Sequence, residues 1–258
     1  MSIHPTAIVD AAARIAETAE IGPYCVIGAE VEIGAGTRLM AHAYIEGPAW
    51  IGEDNVFFPY TSVGVAPQDL KYKGEHSETR LGNRNRIREF VTIQRGTEGG
   101  GLVTSIGDDN LLMVYVHVAH DVHIGNHAVL ANAVTFAGHV TVGDWAVIGA
   151  GSAVHQFCRV GRHAMIGGYS VISQDVMQFS MTVQERVVKT FGANRTGLER
   201  RGFSENARSA LHKAFRLLKK GDLNTSQAVE RIRAEVEACP EIDELLEFIG
   251  SAQRGIVK

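Results

Sequence analysis

VAHDVH IGNHAV LANAVT FAGHVT VGDWAV IGAGSA: residues 118–153, set in blocks of six, open each block with Val118, Ile124, Leu130, Phe136, Val142 and Ile148. Followed outward, the period covers most of the chain. It begins at Ile3, Val9 and Ile15 and runs through Ile21, Ile27, Ile33, Leu39, Ile45, Ile51, Phe57 and Val63. It resumes at Leu81, Ile87 and Ile93, shifts by one residue at Ile106, and ends near Ile172. All 26 positions are aliphatic or Phe against a 45% apolar background, a coincidence of roughly one in a billion. Twelve are followed by Gly, and four residues after an anchor stand small, β-branched or Asn side chains such as Ala7, Cys25, Thr37, Val122 and Ser152.

A period of six does not match an α-helical face, which repeats every 3.6 residues. It fits a short strand and a corner: the anchor points inward, the small residue fills the corner, and glycine relieves the bend. Three sides make an 18-residue triangular coil, and stacked coils form a parallel β-helix. A β-sandwich would instead show polar–apolar alternation and turn clusters. The expected architecture is a mainly β prism over 1–185 and a C-terminal helical domain over 186–258. Loops are expected at 64–80 and 94–105, the first replacing two sides of a coil, the second about one side plus a residue. Insertions in a solenoid emerge on its surface and often carry function.

Beyond about residue 178 the texture turns helical. Ser204 is the expected N-cap of a helix from Glu205 to Lys220, stopped by Gly221. Thr225 or Ser226 would cap a second, ending near Cys239, and Pro240 would open a third. Between Arg186 and Lys220 ten Lys/Arg face two Glu. That run is either a solvated helix face or a docking patch for an acidic partner.

Composition excludes several classes. The formal charge of −4 gives no global basic field for nucleic acid. Three distant cysteines, Cys25, Cys158 and Cys239, form no CxxC pair and support neither a disulfide framework nor a cysteine zinc site. No apolar stretch is long enough for a bilayer and the first residues lack a signal-peptide pattern, so a cytoplasmic protein is expected.

The register concentrates chemistry. Anchors 118, 136 and 154 stack on one side of successive coils. His117 at the preceding corner, His120, His139 and His155 therefore converge on one edge. One reading is general-base catalysis, with Asp121 fixing the tautomer of His120 and stabilising its imidazolium. Another is a three-histidine zinc site of the carbonic anhydrase kind. A third is a non-catalytic scaffold that keeps the prism.

Particular segments narrow the choice. Gln68-Asp69-Leu70-Lys71-Tyr72, Arg84-Asn85-Arg86-Ile87-Arg88-Glu89, Asp109-Asn110-Leu111-Leu112-Met113, His117-Val118-Ala119-His120-Asp121, Ala137-Gly138-His139, Val154-His155-Gln156-Phe157 and Arg200-Arg201-Gly202-Phe203 occur in this order. Together they closely resemble the UDP-N-acetylglucosamine acyltransferases, which open lipid A synthesis. The resemblance implies a homotrimer of left-handed β-helices; general crossover handedness would have favoured the opposite sense. It also implies transfer of a 3-hydroxyacyl chain from acyl carrier protein to the 3-hydroxyl of UDP-N-acetylglucosamine, with no cofactor and no metal. A repeat starting at Ile3 leaves no room for the extra N-terminal domain of the related N-acyltransferases.

By the same resemblance His120 is the general base, Asp121 its orienting partner, and the Gly138 N–H the oxyanion donor. Gln68, Asp69, Lys71, His117, His139, His155 and Gln156 line the sugar-nucleotide and acyl sites. Asn194, Arg200 and Arg201 hold the nucleotide, and Gly168 leaves the groove open to a long acyl chain. The basic tail becomes the surface for acidic acyl carrier protein. Four places depart from the family pattern: Gln94 for a usual His, Thr196 for a usual Glu, Met177-Gln178 for a Pro pair, and Val183–Thr190 without the usual turn. They leave room for a 3-amino sugar acceptor or a specialised paralogue.

Overall fold

The computed structural model describes residues 2–184, 190, 192–252 and 256. The chain divides into two compact units, Met1–Gln184 and Glu185–Lys258. The first is a three-sided parallel β-helix whose faces are sheets of ten, nine and eight strands. Successive strands go to successive faces: Glu20–Ile21 to the first, Val26–Ile27 to the second, Val31–Ile33 to the third. Stacked strands pair in parallel, Ile27 with Ile45 and Phe136 with Val154, so one coil is 18 residues. From Ile21 to Ile172 every anchor is buried in one continuous core, and Ile3, Val9 and Ile15 pack partly buried against it.

The corners take two forms of filling. Inside, the small residues of the repeat are fully buried, among them Ala19, Cys25, Val122 and Ala128. Where Asn stands instead, it forms a ladder. Asn85 Nδ2 donates to Asn55 Oδ1 at 3.0 Å and to the Gly107 carbonyl at 2.8 Å, while Asn85 Oδ1 accepts from the N–H and Nδ2 of Asn110. Each buried amide thus finds partners in the coils below and above. Outside, a residue at positive φ closes many corners, and rings stack along them. Tyr24, His42, Tyr60, Phe90 and Tyr115 follow one another about 5 Å apart on the corner between the first and second faces. His127, Trp145, His163 and Phe179 form a second column between the third and first faces.

Both loops leave from the remaining corner, between the second and third faces. Strands continue further into the breaks than the periodicity suggests, through Val65 and Gln94, and restart at Glu78 and Val103. The loops are therefore 66–77 and 95–102. Leu81 pairs with Ile51 on the third face, 30 residues away, so Val63 and Leu81 stand on adjacent faces. The first break does not replace two sides; it adds twelve residues to one corner. Leu81 pairs with Ile106, 25 residues on, so the second break adds seven to the same corner of the next coil. Backbone pairing explains both: each loop must return the chain to the face that follows.

The second unit is helical. α1 (Arg195–Arg200) was not foreseen, because six residues hold too little periodicity to detect. α2 (Glu205–Leu218) is capped by Ser204 as expected, and buries Ala207, Ala210, Leu211, Ala214, Leu217 and Leu218. α3 (Thr225–Glu235) is capped one residue earlier than expected. Asn224 accepts from the Gln227 N–H and the Gln227 side chain returns to the Asn224 N–H, a reciprocal pair that Thr225 and Ser226 do not provide. α4 (Pro240–Ser251) opens at Pro240. Arg186 and Lys189 of the basic run, and most of segment 183–190, lie outside the described residues.

The Asn ladder is a stability element. Asn85→Leu keeps the branched shape but strands the Asn110 donors and the Gly107 carbonyl, and is expected to cost roughly 3 kcal/mol or more. Equilibrium denaturation of the variant beside the parent checks it.

Candidate active site

The corner that carries the loops also carries the histidines. Asp121, His139 and Phe157 occupy the same corner position in three successive coils, each at φ near +60°. His117 stands on the strand His117–Val118, with its side chain outside the second face, rather than at the preceding corner. The strand period accounts for this, since a residue beside an inward anchor must point outward.

His120 and Asp121 form the centre. His120 Nδ1 lies 2.8 Å from Asp121 Oδ2. A carboxylate only accepts, so Nδ1 carries the proton and the neutral ring keeps a lone pair on Nε2. Asp121 is 1% exposed and is held from all sides. Its N–H donates to Thr104 Oγ1 at 2.7 Å. Its Oδ1 accepts from the Thr97 N–H at 2.8 Å and its Oδ2 from the Thr97 hydroxyl at 2.5 Å. These donors make burial of a charge tolerable. His139 Nδ1 stands 3.7 Å from the same carboxylate, and its ring meets His120 edge-on and stacks on Phe157.

Two glycines permit the close approach. A Cβ on Gly138 would stand 2.5 Å from His120 Cε1, and one on Gly100 would stand 1.9 Å from Asp121 Cγ. The Gly138 N–H donates to no acceptor among the described residues. Thr97, Thr104 and Gly100 were missed in the sequence; the run Thr97-Glu98-Gly99-Gly100-Gly101 beside a histidine edge was the available signal.

Two clefts open on this corner. One, of about 500 Å³, is lined by Gln68, Gln94, His117, His120, Gly138 and His155 over an apolar floor that includes Phe136, Val154 and Val171. The other, of about 750 Å³, is lined by Asp69, Lys71, Tyr72, Glu75, Thr97, His139 and Phe157. Gln94 is buried, and its Oε1 accepts from the Gln68 N–H at 3.3 Å, tying the first loop to the second face. Asp69 Oδ1 accepts from the Lys71 N–H in a local turn. His155 Nδ1 donates to the Gln156 carbonyl at 3.2 Å, and Gln156 is exposed. Burial pushes the His117 imidazole below its ordinary value, and the nearby His120 adds to the shift. Burial also lowers His139, against the opposing pull of Asp121.

The expected set is thus largely brought together: Gln68, Asp69, Lys71, His117, His120, Asp121, Gly138, His139 and His155 all surround this corner. Gly168 does not join them; it is exposed at the corner between the first and second faces. Asn194, Arg200 and Arg201 belong to the second unit. There Asn194 caps α1 by accepting from the Gly197 N–H, Arg200 ends the helix and Arg201 follows it.

Among the described residues, His120, Asp121 and His139 also bring ligand-type atoms within 4.8 Å of one another. Both Asp121 oxygens are already engaged by Thr97, and Oδ2 also by His120. A base–carboxylate pair accounts for those hydrogen bonds; a metal would have to displace them.

Fold and site together define a hexapeptide-repeat acyltransferase. A hexapeptide-transferase repeat profile matches residues 104–138, and the profile "Udp N-acetylglucosamine O-acyltransferase; Domain 2" matches 175–257. The chain is 48% identical to the acyl-[acyl-carrier-protein]--UDP-N-acetylglucosamine O-acyltransferase of Thermodesulfovibrio yellowstonii, covering 99% of both. It is 45% identical to the enzyme of that name from Syntrophobacter fumaroxidans over the whole of both chains. The solved LpxA of Acinetobacter baumannii superposes with a TM-score of 0.70 at 43% identity, covering 99% of each chain. This chain belongs to the UDP-N-acetylglucosamine O-acyltransferase family, as its motifs led us to expect, and its prism is a left-handed parallel β-helix.

Two outcomes follow from this geometry. Gly138→Ala must push the His120 ring aside, and is expected to lower turnover about 100-fold in a folded chain, since misplacement near 1 Å costs that much; steady-state kinetics with a thermal melt checks it. The depressed His117 and His139 bind protons more weakly folded than unfolded. Stability is therefore full above about 6.5 and is lost as pH falls below that value. Denaturant midpoints from pH 8 to about 5 should fall, and His117→Gln should flatten part of that slope.

Proposed function

We propose that this protein transfers a 3-hydroxyacyl chain from acyl carrier protein to the 3-hydroxyl of UDP-N-acetylglucosamine, the opening step of lipid A synthesis. The observation that carries the reading is the His120–Asp121 pair, whose tautomer leaves Nε2 unprotonated beside a cleft with an apolar floor. Nε2 takes the proton of the sugar hydroxyl as its oxygen attacks the thioester carbonyl. Asp121 stabilises the imidazolium that forms. The Gly138 N–H donates to the carbonyl oxygen as it gains charge. Collapse of the tetrahedral species breaks the C–S bond, and the imidazolium returns its proton to the leaving thiolate. The ester and the free thiol of the carrier account for all atoms, and the base is regenerated.

The other roles follow from position. Gln68, Asp69 and Lys71 on the first loop, with His117, His139, His155 and Gln156, contact the sugar nucleotide and the acyl chain. Asn194, Arg200 and Arg201 meet the nucleotide, the arginines by charge on phosphate. The basic face of the second unit receives the acidic carrier. Gly168, remote from His120 within one chain, contributes to acyl length across a subunit boundary of a homotrimer. No described helix is long and apolar enough to cross a membrane, which fits the cytoplasmic location we propose.

His120→Ala decides the reading. The variant should fold and bind UDP-sugar but lose acyl transfer about 1,000-fold or more, measured with a panel of acyl carrier protein thioesters against 3-hydroxy and 3-amino acceptors. Parent-like turnover in His120→Ala would sink the assignment.

A further inference from the structure

Thr97 turns both of its donors toward one carboxylate. Its N–H reaches Asp121 Oδ1 and its hydroxyl reaches Oδ2. The residue precedes the short 3-10 turn Glu98–Gly100, where a threonine hydroxyl would ordinarily accept from the turn's own N–H groups. It makes no such cap. The hydroxyl is directed away from its local partner to a residue 24 positions on.

The rest of the loop supports the same contact. Gly100 lies against the Asp121 carboxyl so closely that only glycine fits. Glu98 donates its N–H to Glu75 Oε1 of the first loop at 3.3 Å, so the loop bearing Asp69 and Lys71 is tied to the turn that covers Asp121. The fold itself does not need the extra seven residues at this corner. One, two and three coils later the chain turns the same corner at Asp121, His139 and Phe157 with no insertion.

We propose that loop 95–102 is a brace for the base, and that Thr97 is a positioning residue acting on His120 through Asp121. This rests on the reading of His120 as general base. The Thr97 hydroxyl shares Oδ2 with the His120 Nδ1–H, so it draws charge from that oxygen and fixes the carboxylate's rotation. Removing the hydroxyl has two separable effects. The carboxylate turns more freely, which lowers the fraction of His120 aimed at substrate. Oδ2 also loses a competing donor and becomes a stronger acceptor for the His120 Nδ1–H, which strengthens its contact with the imidazolium.

The test compares Thr97→Val and Thr97→Ser with the parent in kcat, KM for UDP-N-acetylglucosamine, pH–rate profile and thermal melt. The main-chain N–H survives in both variants, so the hydroxyl alone is varied. Thr97→Val is expected to lose about tenfold or more in kcat, keep KM within about twofold, and shift its acidic limb to higher pH. Thr97→Ser is expected to restore most of the rate and the parent profile. Parent-like kcat and pH profile in Thr97→Val would overturn the brace, as would a Thr97→Ser as slow as the valine variant. A parent chain with no acyl transfer would overturn the base assignment itself, and the brace with it.

Discussion

A side chain inside a three-sided coil meets its own counterparts in the coils above and below, about 4.8 Å away. That stacking constraint governs the rest of the structure. It requires an inward aliphatic at every sixth position, small filling at the corners, and, where a corner is filled by Asn, an Asn or a compatible group above it. It also means that an insertion can leave the prism only at a corner and must rejoin at the next face. Both insertions do so at the same corner, and the chemistry is assembled there because nothing inside the prism can host it.

The site is organised around a charge taken out of water. Asp121 is buried at a corner, with no room for solvent and none for side chains beside Gly100 and Gly138. The prism supplies the carboxylate with one close donor, the neighbouring His120 Nδ1–H, while the Thr104 hydroxyl holds the Asp121 N–H. The remaining donors come from Thr97, on an inserted loop. The prism thus sets the spacing of His120, His139 and His155, while the second loop fixes the orientation of the carboxylate that His120 meets.

Much of this was legible in the sequence, for physical reasons that also mark where legibility stopped. The repeat is a direct record of coil stacking, and its register placed four histidines on one edge. The first loop was misread because twelve added residues are two whole periods, so the phase survived and concealed which face followed. The second adds seven, and the slip of one residue at Ile106 betrayed it. The Thr97–Asp121 contact spans 24 residues and obeys no period, so periodicity could not find it. In the helical unit, Ser204 was readable as a cap, whereas at the next helix three polar residues in a row competed and Asn224 prevailed through its exchange with Gln227.

The second column of stacked rings gives the molecule an optical gauge. Trp145 is one of only two tryptophans in the chain, and it lies face to face with His127 at 4.0 Å and with His163 at 6.1 Å. Indole emission depends on the rings stacked against it, so it changes when those contacts are lost. The other indole, Trp50, belongs to the third face, under the Arg80 guanidinium and apart from that column. Intrinsic emission therefore reports separation of three adjacent coils when the rings part.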